Sequence, residues 1–379
     1  MQKTLLPTGC YDVLPPHARQ ESELSASLLQ VFEGFGYEQV APPMLEYSDS
    51  LLSARGAALG PQIFRVMDPS AHKVMGIRPD ITLQVARIAA SRLAHAPRPL
   101  RLCYNGVILR MQGEQLKSER QLLQAGIELI GAASPDADAE VILVAAEALK
   151  RAGITELSID LNLPGIVGAL LASEKLDNDQ LQKLFEAVAH KDIAAINTIS
   201  FAHRDTLIKL LECAGPAETA LPAIQRLDLP ESARQQCRDL LDVVGILGKH
   251  GCKEWALTVD ATENRGLAYH SGISFSIFVP GAACEVGRGG RYRVESTSGD
   301  SEATGFTLYV ETLRDLLPQP KRGKRVLIPE GVTHAQTAAL REEGYITVHA
   351  LSEYGQDAEE AKRLGCDFIF SGGKIHNLT

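Results

Sequence analysis

Four short stretches of the 379-residue chain bring together residue types suited to holding a charged small molecule. Residues 101–110 and 122–131 read as two strands, and side chains on a strand alternate faces with a period of two. Tyr104, Gly106, Ile108 and Arg110 then share one face, and Gln124, Gly126 and Glu128 share a face of the partner strand. A carboxylate for an ammonium group, an amide for orientation and an arginine for a carboxylate or phosphate would make a pocket floor. A solvated strand face carries the same residue types without any function, so the pattern alone leaves both readings open.

The second stretch is Arg78-Pro79-Asp80-Ile81-Thr82. Proline holds the residue before it extended, and Asp80 or Thr82 fits the cap of a helix expected over 82–94. Capping accounts for one of the two, which leaves the other for a ligand. The third is Arg265-Gly266-Leu267-Ala268-Tyr269-His270, and the fourth is Gly289-Gly290-Arg291-Tyr292. Each joins glycine to a cation and aromatic rings. A turn with a solvated arginine explains either one equally well in isolation. Phosphate-loop, dinucleotide-fingerprint, zinc-protease and nucleophile-elbow patterns do not occur. The ten histidines have no metal-ligand spacing, so neither a metal nor a cofactor is expected.

Elements must position these residues. Leu24, Leu28, Leu29 and Phe32 lie at helical spacing within 17–35, and 37–46 reads as extended. Ser134-Pro135-Asp136 opens a helix that runs to Gly153, with proline at its first position and glycine as its stop. Strands are expected at 155–162, 255–260, 273–279 and 282–287, a tight turn at Gly287-Arg288-Gly289-Gly290, and a helix over 304–317. Residues 174–250 read as a helical insertion. After a linker at 318–325, strand and helix alternate to the end as a small α/β unit. The expected domains are 1–317 and 318–379.

Hydrophobic residues make up 45% and charged residues 22% of the chain, which is globular composition. At roughly 100–200 residues per domain, the length implies two or three domains. No apolar run reaches the ~18 residues of a membrane span, and the first residues lack the apolar stretch of a secretory signal. A net charge of −9 disfavours generic nucleic-acid binding. Seven scattered cysteines without a C-x-x-C pair point to free thiols in a reducing, cytoplasmic setting.

The four stretches occur in an order that resembles the class II aminoacyl-tRNA synthetases, specifically the histidyl-tRNA synthetase core. Leu6 through Pro15 is similar to that family's opening. Pro43-Met44-Leu45-Glu46 is similar to its first class motif, and Arg110 through Glu128 to its second. Arg265–His270 and Gly289–Tyr292 resemble its two histidine-specific motifs. The resemblance covers about residues 5–317 and implies an α+β fold. Its core would be an antiparallel sheet flanked by helices, followed by a shortened anticodon-type domain. It also implies that Asp80 and Thr82 hold the ammonium of histidine, that Arg110 pairs with its carboxylate, and that Gln124 and Glu128 complete the floor. Arg265, Tyr269, His270 and Tyr292 would surround the imidazole, with His270 standing where the synthetase has tyrosine.

Other positions depart from the synthetase pattern. Thr312 stands where the third class motif has an arginine for the ATP phosphates, and Tyr309 stands in place of a glycine. Gln112, Gly113, Gln115, Ser118 and Glu119 replace residues that contact ATP and the tRNA end, and Arg293-Val294 replaces Asp-Gly after Tyr292. Threonine cannot supply the cationic stabilisation that adenylate formation needs. A kept amino-acid half beside a dismantled ATP half is similar to the regulatory subunits of ATP phosphoribosyltransferase. That resemblance implies a non-catalytic partner of the short-form catalytic subunit, in a hetero-octamer containing a dimer of this chain. It would activate the transferase and mediate feedback by histidine, without tRNA or membrane. The segment 318–379 holds eight basic and eight acidic residues, so it offers no net basic surface to an anticodon. Two other classes stay open: an adenylate-forming enzyme of histidyl-tRNA synthetase type, and a stand-alone amino-acid sensor.

Overall fold

The computed structural model describes residues 5–52, 60–113, 117–250, 255–263, 270–295, 299–351 and 358–378. The chain divides into two units, Met1–Pro318 and Gln319–Thr379.

In the first unit, helix α1 (His17–Gly34) buries Leu24, Leu28 and Phe32 along one stripe, the four-residue spacing of a single helix face. Strand β1 (Glu38–Gln39) follows, then β2 (Leu45–Tyr47), the short α2 (Ser48–Leu51), β3 (Phe64–Asp68) and β4 (Lys73–Ile77). Strands β2, β4 and β3 form a small antiparallel sheet of their own, which the hydrophobic pattern had not indicated. Helix α3 (Thr82–Ser91) leads into the long pair β5 (Leu100–Leu109) and β6 (Gln121–Ile130), antiparallel as expected. Helix α4 (Pro135–Arg151) has Ser134 accepting from the Ala137 amide, Pro135 in the first turn, Lys150 and Arg151 in the last, and Gly153 beyond its end at φ +95. Each feature satisfies or complements a helix terminus.

Strand β7 (Ser158–Asn162) and α5 (Ile166–Leu171) precede the insertion. The insertion comprises α6 (Asn178–Ala189), α7 (Ile193–Asn197), α8 (Arg204–Glu212), α9 (Ala217–Gln225) and α10 (Glu231–Lys249). It is mostly helical, and the two-residue β8 (Gly215–Pro216) adds an edge strand beside β9 (Ala256–Asp260). Then come β10 (His270–Phe278), β11 (Gly287–Val294), β12 (Ser301–Tyr309) and α11 (Val310–Leu316).

Three expectations are corrected by the strands. The glycines at 287–290 lie inside β11 rather than in a turn, because they let neighbouring strands and side chains approach closely. A Cβ on Gly289 would lie 2.4 Å from the Gly305 carbonyl oxygen and 2.5 Å from the Phe275 ring. The strand expected at 282–287 is the connection into β11, and most of the helix expected over 304–317 is β12. Strand alternation decides the latter: Phe306 and Leu308 join the main core while Ala303 and Tyr309 face the other way.

Nine strands form one sheet in the order β1-β5-β6-β12-β11-β10-β7-β9-β8. It is antiparallel through its centre and parallel at β1/β5 and β7/β9, so it is mixed rather than purely antiparallel. One face packs on α1, α4 and the insertion, with Phe32 edge-on to Phe306 at 5.6 Å. Burying a ring such as Phe32 contributes about 1.5–3 kcal/mol. The other face carries a smaller cluster that includes Ile81, Tyr104, Tyr292 and Tyr309.

The second unit has strands β13 (Arg325–Ile328), β14 (Ile346–His349), β15 (Phe368–Ser371) and β16 (Lys374–Asn377) in the order β14-β13-β15-β16. Helices α12 (Ala338–Glu342) and α13 (Ala358–Arg363) accompany them. The first three strands are parallel, as alternating strand and helix require, and β16 adds an unforeseen antiparallel edge. Among the described residues no helix is long and apolar enough to cross a membrane, and the six described cysteines form no disulfide.

Candidate functional site

Strand register builds the site. Glu128 on β6 lies opposite Gly305 on β12, which lies opposite Gly290 on β11. In the neighbouring row, Gly126 lies opposite Thr307, which lies opposite Arg288. Residues paired directly across strands point to the same face. Two of the three positions in the first row therefore have no side chain, and a hollow opens beside the Glu128 carboxylate. A Cβ on Gly305 would lie 2.0 Å from Glu128 Oε2. The hollow takes in about 360 Å³ of space when the open solvent at its mouth is included. Asp80, Thr82, Arg110, Glu128 and Tyr292 all line it.

Glu128 is 1% exposed. The Tyr292 hydroxyl donates to Oε2 at 2.8 Å, and the Tyr104 hydroxyl donates to Oε1 at 3.4 Å. Tyr104 also lies 2.6 Å from Thr307 Oγ1 and 3.3 Å from Thr82 Oγ1, so one phenol ties together β12, the head of α3 and the carboxylate. Burial pushes the Glu128 carboxyl up to about 8, and the nearby Asp80 charge adds to the rise. Hydrogen bonds from Tyr292, Thr82 and Tyr104 oppose it without overcoming the loss of water.

Asp80 is held from behind. Its Oδ2 accepts from Gln124 Nε2 at 2.9 Å, and Gln124 Oε1 accepts from the Ile81 amide at 3.2 Å. Gln124 is fully buried and serves the pocket through Asp80. Asp80 Oδ1 accepts from the Thr82 amide at 2.9 Å, which satisfies the first amide of α3 from just outside its Ile81 cap position, and the Thr82 hydroxyl turns inward towards Tyr104. Beneath this segment, Arg78 donates to the carbonyls of Val107 at 2.8 Å and Pro42 at 2.9 Å. Gly106 makes room for it, since a Cβ there would lie 2.3 Å from Arg78 Nη2. Gln84 Nε2 and Arg87 both donate to Glu46, which anchors the first class motif to α3.

The other end of the hollow is occupied by protein groups. Arg288 Nε donates to the Tyr309 hydroxyl and lies at an ion-pair distance from Glu285 Oε1, both at 2.8 Å. Lys117 Nζ lies 2.7 Å from Glu311 Oε1 and 2.5 Å from Thr312 Oγ1, and 4.9 Å from the centre of the Tyr309 ring. Thr312 thus receives a lysine from within the chain. Arg110 and Arg288 also lie over the Tyr309 ring, at 5.9 Å and 5.6 Å.

Of the residues singled out in the sequence, Asp80, Thr82, Arg110, Glu128 and Tyr292 meet in one cavity, with Gln124 behind them. Arg265 and Tyr269 lie outside the described residues, as does Gln115. His270 opens β10 with its backbone opposite Tyr292. Arg291, although next to Tyr292, points to the other face and pairs with Asp138 at 2.6 Å. Sequence reasoning missed Arg288 and Lys117, and it missed Thr307 as the partner of Tyr104. The period-two pattern of β12 was the one signal that could have placed Thr307.

Comparison with known proteins agrees with this geometry. The family model described as Histidyl-tRNA synthetase matches residues 9–313. An ATP phosphoribosyltransferase regulatory subunit of Rhodospirillum centenum is 42% identical over 99% of this chain and 96% of its own. One of Paramagnetospirillum magneticum is 43% identical, over 96% and 95%. A solved structure from Bacillus halodurans C, described as an ATP phosphoribosyltransferase regulatory subunit/histidyl-tRNA synthetase, superposes with a TM-score of 0.84 at 23% identity, covering 96% of this chain and 97% of its own. The synthetase-like sheet, the cavity and the near full-length identity place the chain in the family of ATP phosphoribosyltransferase regulatory subunits, built on a histidyl-tRNA synthetase core.

Proposed function

We propose that this chain regulates the short-form catalytic subunit of ATP phosphoribosyltransferase in histidine biosynthesis, activating it and lowering its activity when histidine is bound. One observation carries the reading. A hollow lined by Asp80, Thr82, Arg110 and Glu128 is bounded by Arg288 and Tyr309, with Lys117 against the Tyr309 ring. The first half suits a zwitterion, with carboxylates for its ammonium and an arginine for its carboxylate. Among the described residues, the cations of the second half, Lys117 and Arg288, are paired with Glu311 and Glu285, which suits a triphosphate poorly.

In this reading Asp80 and Thr82 hold the ammonium of histidine, with Glu128 and Gln124 completing the floor. Arg110 takes the carboxylate, and Tyr292 faces the imidazole with Arg265, Tyr269 and His270. Regulation then requires histidine to bind the inhibited assembly more tightly than the active one. The partner performs the chemistry, and this chain contributes no catalytic step. Self-association as a dimer is supported by the three-stranded sheet and the residue before it, where Met44, Leu45, Tyr47, Val66, Met67 and Val74 are exposed; the hetero-octamer is what the family resemblance implies.

The test mixes this protein with a short-form catalytic subunit and follows transferase activity with and without histidine. Activation followed by inhibition is expected. No effect of the chain on the transferase would favour the adenylate-forming alternative, with pyrophosphate exchange as its direct assay.

A further inference from the structure

The boundary of the hollow beside Arg110 is set by three linked contacts. Ser276 Oγ donates to Glu285 Oε2 at 2.8 Å, Glu285 Oε1 pairs with Arg288, and Arg288 Nε donates to the Tyr309 hydroxyl. Tyr309 is itself fixed. Its backbone amide donates to the Val286 carbonyl at 2.9 Å, its ring is buried, and Lys117 lies over it while tied to Glu311 and Thr312. Arg110 Nη2 is 3.5 Å from the same hydroxyl, so the guanidinium assigned to the ligand carboxylate stands directly against this boundary. Arg288 and Glu285 are both largely buried, and parting such a pair without replacing either partner is strongly unfavourable.

We infer that Arg288 and Tyr309 form a specificity wall that sets the permitted length of the ligand. The pocket accepts an amino acid with a free carboxylate and rejects the same amino acid extended through that carboxylate as an ester or acyl phosphate. The inference rests on the amino-acid reading of the hollow and adds the residues that limit it. A longer ligand must displace the Tyr309 ring or break the Glu285–Arg288 pair. A clash built against the longer ligand is one of the two ways a pocket discriminates, the other being added attraction to the shorter one. Even a methylene-sized misfit separates ligands by about 10–200-fold, and an adenylate is far larger.

The experiment is calorimetric titration of the full chain with histidine and with a non-hydrolysable sulfamoyl analogue of histidyl-adenylate. The analogue should bind the unmodified protein at least ~100-fold more weakly than histidine. Replacing Arg288→Ala and Tyr309→Ala together should raise the affinity for the analogue relative to histidine by at least ~10-fold. Tyr309→Phe, which keeps the ring and loses the hydroxyl tether, should move the ratio in the same direction by less. Equal affinity of the unmodified protein for both ligands overturns the wall alone, and that result needs no variant to fold. Binding of neither ligand overturns the amino-acid reading, and the wall with it. An unchanged ratio in a folded double variant assigns the exclusion elsewhere and overturns the roles of these two residues.

Discussion

Ligand binding in this pocket should release a proton, and Glu128 should be its source. The carboxyl has been moved from 4.5 to about 8 by burial. At about 1.4 kcal/mol per unit, that displacement favours the neutral form by roughly 5 kcal/mol. Near pH 7 about nine-tenths of the unliganded molecules then carry the proton. An ammonium group brought against the Thr82–Glu128 side of the hollow restores the attraction that burial removed, and the acid ionises. Titration calorimetry with histidine near pH 7, in two buffers of different ionisation enthalpy, should report release of close to one proton. Affinity should rise with pH, by about fivefold from pH 7 to pH 8, and then level off. The imidazole of histidine, ordinarily near 6.5, is about one-quarter protonated at pH 7, so the Glu128 contribution is the difference between the wild-type protein and Glu128→Gln. Glu128→Gln should remove the Glu128 share of the proton release and of the slope. A wild-type protein that binds histidine with no proton release, or a Gln variant that keeps the slope, would refute the coupling.

Three further outcomes follow from the same geometry. A carboxyl whose folded-state pKa is raised keeps its proton to higher pH in the folded than in the unfolded chain, so unliganded stability falls as pH rises from about 4.5 to about 8; Glu128→Gln should flatten this fall, by several kcal/mol at the alkaline end, as read by urea unfolding across pH. Gly305→Ala places a Cβ 2.0 Å from Glu128 Oε2 and 2.4 Å from the Ile127 carbonyl oxygen; it should abolish histidine binding and cost about 1–3 kcal/mol by overpacking, seen in calorimetry and denaturation. Arg78→Lys keeps the charge but cannot reach the Val107 and Pro42 carbonyls together; it should destabilise by about 1–3 kcal/mol and lower the melting temperature.

Long periodic elements were legible in the sequence. The stripe of α1, the caps of α4 and the β5–β6 pair follow directly from spacing, because in each one local pattern and burial agree. Strands β11 and β12 were not legible from residue types. Glycines at 287–290 suggest a turn when read locally, and only the facing strands show that they serve close approach. Likewise Phe306 and Leu308 satisfy a helical or a strand pattern until their neighbours are known. The cavity itself came from residues far apart in the chain. Asp80, Thr82, Glu128 and Tyr292 were singled out by residue type and spacing and given roles by resemblance, whereas Arg288 and Lys117 were invisible because their partners, Glu285 with Tyr309 and Glu311 with Thr312, are chosen by tertiary packing. Arg291 misled for the complementary reason: adjacency to Tyr292 along a strand guarantees the opposite face.

The row of Glu128, Gly305 and Gly290 has a consequence for how such a pocket changes over generations. Its hollow is a mould cast in backbone, and at Gly305 and Gly290 any added carbon would meet the carboxylate, a carbonyl oxygen or the next strand within 2.0–2.9 Å. Those positions cannot be used to tune what the pocket admits. Variation that keeps the sheet intact is confined to the rim, at strand ends such as Tyr309 and on loops such as the one carrying Lys117. A scaffold of this kind can exchange one biochemical role for another through a few rim side chains, while the part that holds the amino acid stays as it was.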